Sequence, residues 1–109
     1  MSKSVLEIID SITRLEETFL PRFAPGTAQH SLLKNRIQAL HTAGQLISGE
    51  EVPTREDLEF ALPRIESIIQ KMSKARDKYP PEDKNFKRFD PTVRAMEEVR
   101  AAILRRLKE

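Results

Sequence analysis

The chain has 109 residues, 39% of them hydrophobic and 33% charged, with 19 Lys or Arg against 17 Asp or Glu and no cysteine. That is enough chain for one modest core and too little for two, and it is too apolar for a disordered tail. It excludes disulfides, thiolate catalysis and cysteine-bound metal, and a net charge of +2 is too weak for general binding to nucleic acid.

The first predicted helix covers about residues 4–20. Ser4 and Glu7 form a capping-box pair, and Val5, Ile8, Ile12, Leu15 and Phe19 recur at spacings of three and four until Pro21. Glu7 and Asp10 interrupt what would otherwise resemble a signal peptide or a membrane span. The absence of cysteine suits a reducing compartment, so a cytoplasmic, membrane-free setting is expected.

After the turn "PRFAPG", Thr27 caps a second helix over about 28–48 that closes at Ser48-Gly49. Its apolar arc is unusually broad, about 180° at 100° per residue, which leaves room for an extra helix such as a second copy of the chain. Thr54, with Glu56 and Asp57 following, caps a third helix over about 54–79, striped by Leu58, Leu62, Ile65, Ile69, Met72 and Tyr79. Pro63 lies within it, but the apolar phase continues across it, which predicts one bent helix. "PPEDKNFKRFD" reads as a loop, and Asp90-Pro91 as the cap and first position of a fourth helix over about 91–108. Four amphipathic helices with short joins predict an all-α, single-domain up-down-up-down bundle spanning residues 1–109.

Three charges fall inside apolar arcs: Glu16 on the first helix, Arg36 on the second and Arg100 on the fourth. At 1.5 Å of rise per residue they can share one layer of the bundle. Isolated charges in an interior are costly, so these require a partner, water or a ligand. Two readings follow. In one, Glu16 and Arg36 form a structural ion pair while Arg100 extends to solvent. In the other, Arg36 and Arg100, with Glu16 beside them, clamp a phosphate or carboxylate, with electrostatic stabilisation of an anionic substrate as the catalytic extension. Arg76, near the end of the third helix, is expected to reach outward.

A second candidate anion site is the start of the second helix, where free backbone N–H groups meet Arg22, Thr27, His30 and Lys34 in a stretch, Thr18 to Gly49, that contains no Asp or Glu. An ordinary threonine cap explains the same residues. His30 and His41 lie on one helix face about 16 Å apart, too far to share a metal ion, and no cofactor or metal motif is present.

Phe86, Lys87, Arg88 and Phe89 alternate aromatic and basic residues, a pattern that plugs the end of a bundle, contacts a protein partner or, least in keeping with the net charge, stacks on RNA. Phe60 points away from its helix's stripe. With no catalytic constellation legible, the expected role is non-enzymatic, through protein contacts that include a homodimer. Small-anion binding is the alternative, and weak RNA binding through residues 84–89 the next.

Overall fold

The computed structural model of the chain describes residues 4–109, which form four packed helices. Helix α1 (Val5–Phe19) begins with the capping box read from the sequence: the Ser4 hydroxyl accepts from the Glu7 N–H at 3.2 Å, and the Glu7 carboxylate accepts from the Ser4 N–H at 3.4 Å. It ends in a 3-10 turn, Leu20–Arg22, that contains Pro21. Helix α2 (Ala28–Ser48) is capped by Thr27, whose Oγ1 accepts from the His30 N–H at 3.2 Å. It stops at Gly49, whose φ of 74° is left-handed and whose N–H returns to the Gln45 carbonyl at 3.0 Å.

Helix α3 (Arg55–Arg76) opens with a capping box between Thr54 and Asp57 and runs unbroken through Pro63, which faces solvent. It ends three residues before the end of the expected 54–79. Tyr79 therefore lies outside the helix, 36% exposed, rather than on its stripe. Pro80 explains the early stop, because a proline disfavours helical backbone at the residue before it.

The larger correction concerns the last helix. Helix α4 runs from Lys84 to Leu107, with Pro91 in its interior. Asp83, not Asp90, is the cap, its carboxylate accepting from the Asn85 N–H at 2.7 Å. The expected 11-residue loop shrinks to the seven residues between Arg76 and Lys84. Phe86, Phe89, Val93 and Met96 lie at spacings of three and four, so a single apolar stripe crosses the proline, as it does at Pro63. The contacts this stripe makes offset the missing hydrogen bond of Pro91, whose ring is exposed.

Successive helices are neighbours, as short joins require. The α3–α4 pair packs most extensively, and α2 lies between α1 and α3. Helix α1 rests chiefly on α2, touches α4 over a smaller area and does not pack on α3 among the described residues. The broad apolar arc of α2 is thus occupied within the chain, one flank by α1 and the other by α3. Leu40, Ile65, Val93, Met96, Val99 and Ile103 are the largest fully buried side chains. Ala39, Ala43 and Ala61 are buried completely as well, and such small residues set helix axes close together.

The body measures 40 × 37 × 21 Å. Four helices packed against one another, without strands among the described residues, make this the all-α bundle that the sequence predicts. No helix of the described residues is long and apolar enough to cross a membrane.

Candidate functional site

The interior charges resolve into a pair and an outlier. Arg36 on α2 and Glu16 on α1 retain side-chain exposures of only 10% and 15%, and Arg36 Nη1 lies 3.9 Å from Glu16 Oε1. That distance is close enough for charge attraction and too long for a hydrogen bond. Arg36 Nε is buried without any hydrogen-bond partner. A donor left in that state costs about 1–3 kcal/mol. Arg100, half-buried on α4, makes no ion pair among the described residues, so the structure pairs two of the three charges and leaves the third apart.

At the start of α2 two of the four candidate side chains, Thr27 and Arg22, already have partners. The Thr27 hydroxyl, besides capping the His30 N–H, donates to the Ala24 carbonyl at 2.8 Å. The Arg22 guanidinium lies 4.7 Å from the centre of the Phe19 ring. His30 is half-buried and Lys34 exposed. Among the described residues no three His, Asp or Glu side chains form a metal-holding group.

Phe86, Lys87, Arg88 and Phe89 belong to the first turns of α4, not to a loop. Both phenylalanines are half-buried, with Arg76 5.4 Å from the centre of Phe86 and Arg88 5.8 Å from that of Phe89. Phe60, which points off its stripe, is covered by Arg64 at 4.0 Å, and Arg64 Nη1 donates to the Phe60 carbonyl at 3.1 Å.

Near Phe86 lies a charge cluster that sequence reasoning missed. Arg76 Nη1 donates to Asp90 Oδ1 at 2.9 Å and Arg76 Nε to Asp77 Oδ1 at 3.0 Å, while Arg94 Nε donates to Asp90 Oδ2 at 2.7 Å. Burial opposes ionisation of Asp90, but the hydrogen bonds and charges of Arg94 and Arg76 outweigh it and hold the carboxyl below its ordinary range. Arg76 does not simply reach outward. It ties the end of α3 to α4, and Asp90 is the anchor instead of a helix cap.

The surface has an open groove of about 350 Å³ between the first half of α1 and the second half of α2. Ile9, Leu40 and Gly44 line its apolar part, with Leu6, 40% exposed, beside them. Gly44 contributes concavity by lacking a side chain; an added Cβ would lie 4.0 Å from Ile9 Cγ2. Its polar lining includes Asp10 from α1, His41 from α2, and Glu50 and Glu51 from the α2–α3 connection, and Gln45 Nε2 donates to Glu51 Oε2 at 2.7 Å. The sequence did carry signals for it: a glycine on an apolar helical stripe and a leucine off one. The pairing of Gly44 with Ile9 across two helices was not readable. No protein-family model, curated protein or solved structure matches this chain.

Proposed function

We propose that this chain acts by holding another protein, without chemistry of its own, and that the α1–α2 groove is the contact. The observation that supports it is an apolar concavity open to solvent, bordered by the exposed Leu6, on the helix that packs against its neighbours least completely. Grooves between two helices are a recurrent seat for a third. A second copy of the chain is one partner of this kind, giving a homodimer. A photoreactive residue at position 6, compared with one at the exposed Lys71 on α3, tests this in producing cells. A discrete protein adduct from position 6 alone is expected; adducts of equal pattern from both positions, or none from position 6, sink the reading.

A second reading rests on Arg36, whose buried and unpartnered Nε favours a small anion, phosphate or carboxylate, beside the Arg36–Glu16 pair. A ligand that prefers the folded state raises its melting temperature. Thermal unfolding in phosphate, sulfate and dicarboxylates should then show a rise that Arg36→Ala abolishes. No rise in the parent chain, or the same rise in the variant, removes this reading.

A further inference from the structure

The chemistry of the groove narrows the partner. Among the described residues its lining contains three carboxylates, Asp10, Glu50 and Glu51, one histidine, His41, and no Lys or Arg, in a chain whose basic residues outnumber its acidic ones. Asp10 does pair with Arg14 at 3.1 Å, but both side chains are largely exposed, and a surface i,i+4 pair of this kind exchanges readily for another cation. Glu50 is exposed and makes no ion pair among the described residues, whereas Glu51 is turned back towards α2 by Gln45.

The apolar part is small. A volume of 350 Å³ lies at the low end of what small-molecule pockets enclose, and the groove is open, so it suits one or two anchoring side chains of a larger body better than an engulfed ligand. An apolar floor between two helices with acids along its edge is complementary to a helix that carries an apolar stripe flanked by Lys or Arg.

We infer that the α1–α2 groove receives a basic amphipathic helix of a partner protein, its apolar side chains resting on Leu6, Ile9 and Gly44 and its cations meeting Asp10, Glu50 and Glu51. The inference rests on the groove being the contact surface and adds the charge of what binds there. Acids at the edge would select among helices and speed their encounter, while the apolar floor would hold them.

The test uses the full chain and three synthetic amphipathic helices with one leucine stripe and flanks of Lys, Gln or Glu, followed by amide chemical shifts. The Lys-flanked helix should perturb residues around Leu6, Asp10 and Gly44, bind about tenfold tighter than the Gln-flanked one, and weaken as salt rises. Glu50→Lys combined with Glu51→Lys, both exposed positions, should reverse the order in favour of the Glu-flanked helix. Filling the floor with Gly44→Leu should weaken all three; if that variant unfolds, the charge reversal alone decides. Equal binding of the Lys- and Glu-flanked helices in the groove overturns the basic partner while leaving the groove as the contact. Perturbation of no groove residue by any helix overturns both. Concentration-dependent shifts in the groove without peptide overturn the inference in favour of a second copy of the chain.

Discussion

Arg36 and Glu16 face each other from α2 and α1 with Nη1 3.9 Å from Oε1, both nearly buried, and yet the pair lacks the hydrogen bonds that usually accompany a buried ion pair. Two charges have been taken out of water for an attraction that is not reinforced by geometry. Removing either partner strands the other, whereas replacing both by apolar side chains removes the desolvation of the two charges and of the orphaned Nε together. Glu16→Ala should therefore destabilise the chain by about 1–3 kcal/mol. Arg36→Met strands Glu16 in the same way and should also destabilise, by about 1–3 kcal/mol, while the loss from Glu16→Ala should shrink in the Arg36→Met background. Urea unfolding of the two variants and their combination measures this coupling. Losses that simply add in the combined variant would mean that the two charges do not interact.

Pro91 offers a sharper discrimination, because the two descriptions of its helix predict opposite signs. Were it the first position of a helix, its fixed φ would help, and Pro91→Ala would be neutral or destabilising. Inside α4 the ring is exposed and leaves the Lys87 carbonyl without its helical partner. Pro91→Ala should then stabilise the chain by about 1–3 kcal/mol, measured by urea unfolding, with little change in helical circular dichroism.

The same residue marks where sequence reasoning reached its limit. Caps at Ser4, Thr27, Thr54 and Gly49 act within one turn of the chain, so their residue types alone locate the helix ends. Pro63 was correctly spanned because apolar residues keep phase on both sides of it. Phe86 and Phe89 keep phase across Pro91 too, but Asp90-Pro91 is so good a local start signal that it prevailed over the stripe. What overrides it is tertiary: Arg76, from 14 residues away in sequence, meets Asp90. The candidate charges show the same division. That Glu16 and Arg36 point inward follows from helical period, while the 3.9 Å separation, the lack of an ion pair at Arg100 among the described residues and the α1–α2 groove depend on how the helices pack, which period does not encode.

Asp90 should make part of the chain's stability depend on pH. Its carboxyl is held below its ordinary range in the folded chain, so the unfolded chain takes up a proton first as pH falls. The contribution is complete above the unfolded value, about 4, and is lost as pH drops through the lowered folded value. Asp90→Asn should lower stability at pH 7 by about 1 kcal/mol, and the difference between parent and variant should narrow below pH 4. Urea midpoints at pH 7, 5 and 3 measure it; a difference unchanged by acid would show that Asp90 acts through neutral hydrogen bonds alone.

Gly49 isolates a purely conformational effect. Its φ is 74°, and an added Cβ there would meet nothing within 4 Å, so packing cannot contribute to the cost of a substitution. Only the strain of a left-handed L-residue remains, about 1–2 kcal/mol. Gly49→Ala should thus reduce stability by that amount, and Gly49→Asn by less, since asparagine tolerates this region of backbone space. The position also governs the site, because Gly49 turns the chain so that Glu50 and Glu51 reach the groove beside Leu6. A variant that kept α2 helical beyond Ser48 would carry both acids away from it, so Gly49→Ala should weaken binding of a Lys-flanked helix while leaving that of a Gln-flanked one nearly unchanged. Parallel titrations with the two peptides, alongside urea unfolding, separate loss of the turn from loss of the fold.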